Sequence, residues 1–517
     1  MGLVTVNVKW QKEKFKNIEC NTGESVDNFK ALIFSLTGVP PERQKIMLAG
    51  KILESTFEGI TINNGSTLMM MGSADIPQDK GDIKESNPNI ISELAPKQEI
   101  DSIDVMGLHN LGNTCYMNSV VQALFTIPEL VYSLKRADLS SSNMNLIKSL
   151  SSLFSELDHS KDAVRPIYFL LSVHQKFPQF GIKARDVSES EGGGGIGFQQ
   201  QDANEFMLKL FHEMQNIKIS EKIFSSKSTS IPSYIDTKGE WNPIDKYFTG
   251  TIACKIKCDE DEEDIKEFTE TFLQVPCFIN KDIKYLHTGI RNSLESKLVK
   301  RSEKLGRDAN YSKFSKFSRL PSQLTIQFVR FFYKEKQKIN AKILKDVKFP
   351  INLDMYEFCT DELKEKMDPI RERFRLEDEK DAHAVKIRKA NSSIPQSKKP
   401  DFYEEDNKFE PYWFENDYGS NNSGFYQLQA VITHQGRSSS QAHYVAWCRH
   451  KNKWYKVDDD EVTISTEEEI LRLSGGGDWH CAYLLIYGPR KLLKPEFYPK
   501  NLEEENSAPM ETNDTAK

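Results

Sequence analysis

Eight cysteines in 517 residues, at positions 20, 115, 254, 258, 277, 359, 448 and 481, are too few and too scattered for a disulfide framework. With no apolar N-terminal run of the signal-peptide kind, free thiols in a reducing compartment are expected. Hydrophobic runs are short as well: none approaches the roughly 20 residues that span a bilayer, so stable membrane insertion is not expected. Met1-Gly2 opens as a myristoylation site does, but Val6 stands where serine or threonine is required. Charge of one sign is also missing as a long block. A net charge of −7 spread over 28% charged residues argues against a nucleic-acid partner. Cys254 and Cys258, with Cys277 and His287 downstream, have part of a zinc-site spacing. No second close cysteine pair completes it, so structural zinc is not expected from the spacing.

What is present is enough chain for two or three domains. Val4, Val6 and Val8 alternate with Thr5, Asn7 and Lys9 as a half-buried strand does, and Phe15, Ile18 and Cys20 suggest a second strand. Ser25 to Leu36 carries helical spacing, Gln44 to Lys51 reads as another strand, and Ser66 to Met71 follows the turn Asn63-Asn64-Gly65. This order resembles the ubiquitin-like β-grasp fold, most clearly in Gln44 to Lys51 and Gly65 to Leu68. The unit runs on from Met71 through Gly72-Ser73-Ala74 instead of ending in a diglycine, so the resemblance implies a fixed docking module over residues 1–75. Met47, Met71 and the loop at Lys9 and Trp10 fall where the resemblance puts an exposed recognition patch. One of Met69 and Met70 should be core, since neighbours on a strand face opposite ways. Residues 76–103 are polar and proline-interrupted, a linker by composition. From 104 to about 490 helical and strand-like segments alternate, as in one large α+β domain. Within it, residues 361–408 read as a charged helix and a mobile insertion, and residues 491–517, with Glu503-Glu504-Glu505, read as a disordered tail.

Residues 107–119, Gly-Leu-His-Asn-Leu-Gly-Asn-Thr-Cys-Tyr-Met-Asn-Ser, place Cys115 between a glycine-containing turn and an amphipathic run that reads as a helix, limited by Pro128. A thiol at a helix N-terminus faces unpaired N–H groups and the positive end of the macrodipole, which favour thiolate. A cysteine nucleophile needs a base, a group to orient the base and donors for the oxyanion. Among ten histidines His443 has the best setting, between the polar loop Gly436 to Gln441 and the strand Tyr444-Val445-Ala446-Trp447. Two strands joined near Lys451-Asn452-Lys453 would return Asp458 to its side; spacing alone does not choose among Asp458, Asp459 and Asp460. Asn110 carries an amide able to donate to an oxyanion, and equally able to cap its own turn.

Gly107 to Asn118, His443 to Trp447 with Asp458, Gln200-Gln201-Asp202-Ala203-Asn204-Glu205-Phe206, Leu320-Pro321 to Arg330-Phe331 and Ala482 to Tyr487 resemble, in order, the sequence blocks of the ubiquitin-specific proteases. Asp202 and Glu205 also have capping-box spacing. The resemblance implies a papain-like fold of fingers, palm and thumb, with Cys115 as nucleophile, His443 as base, Asp458 as orienting carboxylate and Asn110 as oxyanion donor. Ubiquitin and polyubiquitinated proteins are the implied substrates, and the implied mechanism requires neither a metal nor an organic cofactor. It also implies that two loops flank the cleft and obstruct it in the free enzyme. They run from Phe331, Phe332 and Tyr333 to Lys342, and from Gln435, Gly436, Arg437, Ser438, Ser439 and Ser440 to Gln441. The ubiquitin-like unit would dock at the regulatory particle of the 26S proteasome, which would relieve the block, in cytoplasm and nucleus. Arg437 before three serines suggests a site for a basophilic kinase. Ala442 departs from the glycine usual before the histidine and would be strained if its φ were positive. On the residues alone, a non-catalytic ubiquitin-binding adaptor and a papain-type protease acting on ordinary peptides remain open.

Overall fold

Val6 and Val8 are wholly buried on the strand Leu3–Trp10, which pairs antiparallel with Glu13–Asn21 and parallel with Thr67–Met71. In this computed structural model the described residues of the N-terminal unit are 3–10, 13–22, 44–48, 51–53, 64–71 and single positions between them. Beyond it they are 104–140, 144–183, 198–220, 231–334, 339–390, 405–438, 441–477 and 480–497. Five strands form one mixed sheet, in the order Glu13–Asn21, Leu3–Trp10, Thr67–Met71, Lys45–Leu48, Lys51–Leu53. The single strand expected over 44–51 is therefore two antiparallel ones. Val26, Phe29 and Ile33, at helical spacing, are buried with Ile46, Leu68 and Met70; most of the helix expected over Ser25–Leu36 lies outside the described residues. Met70 points into the core while Met69 and Met71 are about half exposed, as the two-residue period of a strand requires. Cross-strand register sets Lys9 and Met47 on either side of Met69, so the outward apolar group is built from Met69 and the half-buried Met47. The Trp10 side chain and residues 76–103 lie outside the described residues.

The chain divides into two units, Met1–Glu99 and Ile100–Lys517. In the second, an eight-stranded sheet runs Val275–Phe278, Leu324–Val329, Cys481–Pro489, Phe425–Ser438, Gln441–His450, Lys453–Asp458, Glu461–Ser465, with Asn352–Asp354 also paired to Phe425–Ser438. All nine residues of Cys481–Pro489 are buried, because both faces of the sheet are covered. Ala430, Ile432, Tyr444 and Ala446 face a layer containing helices Cys115–Phe125, Pro128–Arg136, Asn145–His159 and Ala203–Met214. Val431, Val445, Trp447 and Leu485 face a second core on the other side. Each large aliphatic side chain withdrawn from water in these layers contributes about 1.5–3 kcal/mol before entropy is counted.

A separate four-stranded sheet, ordered Glu295–Arg301, Asp308–Arg319, Gly250–Cys258, Ile265–Phe272, carries Cys254 and Cys258. Four residues apart on one strand, their Cα atoms are separated by about 13 Å, too far to share one zinc ion. The charged stretch begins as the helix Asp361–Ala390, anchored by buried Leu363, Met367 and Phe374; residues 391–404 lie outside the described residues. The fold also continues past residue 490, where Leu492 and Leu493 are buried and a short 3₁₀ turn closes at Phe497. Two adjacent leucines in a charged segment find a core that composition did not reveal. The tail from 498 lies outside the described residues, and no helix among the described ones is long and apolar enough to cross a membrane.

Candidate active site

Cys115 is the first residue of the helix Cys115–Phe125. The helix is buried at ten of its eleven positions, so the amphipathic reading is corrected: the polar side is inside too. Its polar residues hold the preceding segment. Asn118 Nδ2 donates to the carbonyls of Leu108 and His109, and Gln122 Nε2 to that of Met106. The helix ends before Pro128, which starts the next helix at a position needing no N–H donor. Ahead of the thiol, Gly112 and Asn113 have φ of 101° and 58°, conformations that glycine and asparagine tolerate. Asn110 Oδ1 accepts from the N–H groups of Gly112 and Thr114, and Thr114 Oγ1 accepts from that of Leu111. Asn110 thus caps this turn while its Nδ2 donates to Asp459 Oδ2 at 2.9 Å.

His443 stands near the start of the strand Gln441–His450, and Asp458 ends the neighbouring strand Lys453–Asp458. They join through Lys451 and Asn452, both with positive φ, as a two-residue type I′ hairpin turn demands. The hairpin sets His443 Nε2 2.5 Å from Asp458 Oδ1. Lys456 Nζ sits 2.9 Å from Asp458 Oδ2. The hydrogen bond with Asp458, followed by one with Cys115, pushes His443 up to about 10, while the bond with His443 holds Asp458 well below the usual carboxylate range. With Nε2 on the carboxylate, Nδ1 is the ring nitrogen left for sulfur. The structure therefore brings Cys115, His443 and Asp458 together from elements more than 300 residues apart. Ala442 lies within the strand Gln441–His450.

Two contributors were not legible in advance. Asp459, the second carboxylate of the triplet, has φ of 55° and accepts from Asn118 Nδ2 at 2.8 Å as well as from Asn110. Its backbone carbonyl accepts from Leu108 N–H, and a Cβ on Gly107 would lie 2.6 Å from that oxygen. Glycine at 107 is what lets the nucleophile segment lie against this turn. Burial pushes the Asp459 carboxyl up, opposed by its two amide donors. The first glutamine of the Gln200–Phe206 block is the other contributor: Gln200 Nε2 is 3.2 Å from Cys115 Sγ. Asp202 caps the helix Ala203–Met214 through the N–H groups of Asn204 and Glu205 and accepts from Tyr483 Oη. Asp460 is exposed, 3.3 Å from His109 Nδ1. His443, Asp458 and Asp459 place ligand-capable atoms within 4.8 Å of one another. Their four carboxylate oxygens already accept from His443, Lys456, Asn118 and Asn110, a hydrogen-bonded set and not an open coordination shell.

The segment Phe331–Lys342 is a hairpin of two short strands, Phe331–Lys334 and Ile339–Lys342. Phe331 packs edge-on against buried His434 and Tyr483, and Lys342 Nζ donates to the His434 carbonyl at 2.5 Å. Burial holds His434 down to about 3. At its base Arg330 is wholly buried and donates to the carbonyls of Ala482, Ile343, Lys345 and Ser474. The side chains of Phe332 and Tyr333 lie outside the described residues. Gln435 is exposed, Gly436 has φ of 113°, and Ser438 pairs with Gln441 across the strand ends. Ser439, Ser440 and the side chains of Arg437 and Ser438 lie outside the described residues, and so does the suggested kinase site.

A cysteine at a buried helix N-terminus, an imidazole bonded to it and a carboxylate behind the imidazole define a thiol hydrolase. Residues 106–487 match the family model described as ubiquitin carboxyl-terminal hydrolase, and residues 4–75 match that of the ubiquitin family. The chain belongs to the ubiquitin carboxyl-terminal hydrolases of the ubiquitin-specific protease type: a cysteine-type deubiquitinase with an N-terminal ubiquitin-like domain. Ubiquitin carboxyl-terminal hydrolase 14 of Caenorhabditis elegans is 38% identical to it, over 98% of this chain and 99% of its own. Ubiquitin carboxyl-terminal hydrolase 7 of Arabidopsis thaliana is 35% identical over 94% and 99%. Ubiquitin carboxyl-terminal hydrolase 6 of Schizosaccharomyces pombe is 33% identical over 94% and 98%.

Proposed function

We propose that Cys115 attacks the carbonyl carbon of ubiquitin's C-terminal glycine as thiolate. His443 then protonates the departing lysine amine, and water hydrolyses the thioester with His443 as base. Asp458 orients the ring and stabilises its cationic form. Asn110 donates to the tetrahedral oxyanion through its amide, held in place by Asp459. The observation that carries this reading is the bond between Asp458 and His443 beside a cysteine that begins its helix, a setting whose hydrogen bonds with Asp458 and then Cys115 push His443 up to about 10.

The free enzyme, in this proposal, is held inactive by the hairpin Phe331–Lys342 and the turn Gln435–Gln441, and docking of the ubiquitin-like unit on the proteasome regulatory particle relieves the block. Supporting it, Cys115 is 2% exposed and Phe331 is packed down on His434. The outward Met69, with Met47 and Lys9 beside it, gives the ubiquitin-like sheet an apolar face for a partner. The substrates are then polyubiquitinated proteins held by the proteasome in cytoplasm and nucleus. Hydrolysis of a ubiquitin C-terminal fluorogenic substrate by wild type and Cys115→Ala, with and without proteasome, tests both parts. Residual turnover by Cys115→Ala would overturn the nucleophile, and equal wild-type rates with and without proteasome would overturn the gate.

A further inference from the structure

On the proposed mechanism His443 has two opposite tasks in one turnover: as imidazolium it gives a proton to the leaving amine, and as neutral imidazole it takes one from the water that cleaves the thioester. The role of Lys456 rests on that reading of the ring. The structure loads the ring toward the cation. Asp458 Oδ1 lies 2.5 Å from Nε2, and the bond with Asp458, followed by one with Cys115, pushes His443 up to about 10. Acylation of the sulfur removes the Cys115 share and leaves the larger one, from Asp458. A ring held that firmly as a cation recaptures a proton from solvent and is no base: three units above neutral pH, only about one ring in a thousand is uncharged.

Lys456 opposes this load. It precedes Asp458 by two residues on the strand Lys453–Asp458, so both side chains leave the same face. Its Nζ lies 2.9 Å from Asp458 Oδ2, the oxygen that the imidazole leaves unused. A carboxylate shared between two cations binds each less tightly than it would bind one alone. Trp447, a cross-strand neighbour of Lys456, has its ring centroid 5.9 Å from the ammonium, close enough for the ring to hold the lysine stem beside the carboxylate. The other titratable groups around the imidazole do not do this. Burial, then the Lys456 cation, holds His480 down to about 4, so its ring, 6.4 Å from that of His443, is neutral. Asp459 accepts from two asparagine amides and adds no cation, and Cys115 is acylated when the base is needed.

We propose that Lys456 is a positioning residue for thioester hydrolysis: its ammonium fixes Asp458 Oδ2 and offsets part of the carboxylate's charge, so that His443 can deliver a proton to the leaving amine and then stand as the neutral base. The oxygen of water bonds to the acyl carbon, one of its protons passes to Nδ1, and the C–S bond breaks to return the Cys115 thiolate. The test is hydrolysis of a ubiquitin C-terminal fluorogenic substrate by the full-length protein from about pH 6 to 11, with Lys456→Met, which keeps the length of the stem, and Lys456→Arg, which keeps the charge. In Lys456→Met the basic limb of kcat/KM moves up by about half a unit to one unit, a shift tempered by the partial exposure of the lysine. At neutral pH kcat falls about three- to tenfold and KM falls with it, because the thioester accumulates, seen in the intact mass of acid-quenched enzyme. Lys456→Arg restores the limb and kcat. An unmoved basic limb in Lys456→Met of wild-type urea midpoint overturns the proposal, and so does an equal loss in Lys456→Arg. Lys456→Gln takes the place of the methionine variant if that one does not fold. A different failure marks the mechanism itself: turnover by Cys115→Ala, or no basic limb in wild type, overturns the roles of Cys115 and His443 and leaves Lys456 nothing to position.

Discussion

Replacing Asp459 by alanine should impair catalysis without touching the Cys115, His443 and Asp458 contacts. The substitution removes two hydrogen bonds to a carboxylate, at 2.9 Å from Asn110 and 2.8 Å from Asn118. Such bonds contribute about 1.5–3 kcal/mol each when shielded from water. Asn110 is exposed, so its share is small. Asn118 keeps its contacts with the Leu108 and His109 carbonyls, which softens the loss. A net destabilisation of about 1–2 kcal/mol follows. The catalytic cost is separate: without Asp459 the Asn110 amide is held only through its oxygen, by the N–H groups of Gly112 and Thr114, and if Asn110 is the oxyanion donor, loosening its Nδ2 lowers kcat, by up to the about 100-fold that losing such a donor costs. Steady-state hydrolysis of a ubiquitin fluorogenic substrate, with urea unfolding of the same samples, measures both. Asn118→Ala is the control, since it removes the other bond to the same carboxylate and leaves Asn110 held. KM should hardly change in Asp459→Ala. A variant with kcat within threefold of wild type would refute the claim that Asp459 positions the donor, whatever its stability.

His443 is raised from an ordinary value of 6.5 to about 10. Its contribution to stability is therefore complete below about 6.5 and lost as pH rises through about 10. The same group sets the basic limb of kcat/KM near 10, and Asp458→Asn should move that limb down by about 1–3 units, read from pH–rate profiles. Gly107→Ala forces a methyl to 2.6 Å from the Asp459 carbonyl and should cost about 1–3 kcal/mol in chemical unfolding. Phe331→Ala removes the ring packed on His434 and Tyr483. Labelling of Cys115 by a ubiquitin C-terminal electrophile should then be faster in the free protein, and an unchanged rate would count against the hairpin as the obstruction. Arg330→Met leaves two buried and two part-buried carbonyls without this donor and should lower stability by at least about 3 kcal/mol, seen as a lower urea midpoint.

The residues alone determined a good deal, wherever the determining physics is local. Alternating valines dictate a strand with one buried face, and the period of two requires that one of Met69 and Met70 face inward, though not which. Pro128 cannot continue the preceding helix and can start the next, whatever packs around it. Lys451-Asn452 between two apolar runs reads as a reversal, which suffices to return an aspartate to the neighbourhood of His443. What sequence could not supply is whatever depends on a partner hundreds of residues distant. The helix at Cys115 looked amphipathic, since Asn118, Ser119 and Gln122 are polar; only the fold shows that this face is buried too, with its amides spent on the carbonyls of the segment before it. Asp458, Asp459 and Asp460 are chemically identical in the chain. Tertiary structure separates them by what each carboxylate meets: the His443 imidazole and a lysine, two asparagine amides, or, at the exposed Asp460, the His109 ring. Gly107 is required only because the Asp459 carbonyl occupies the space where a side chain would stand. The segments expected as open loops at 331–342 and 435–441 carry strand pairing, because backbone groups beside a sheet find partners that composition cannot announce. Local sequence chose the chemical groups and their elements, and long-range packing decided which group faces which, because reactivity depends on distances that the chain closes only when it folds.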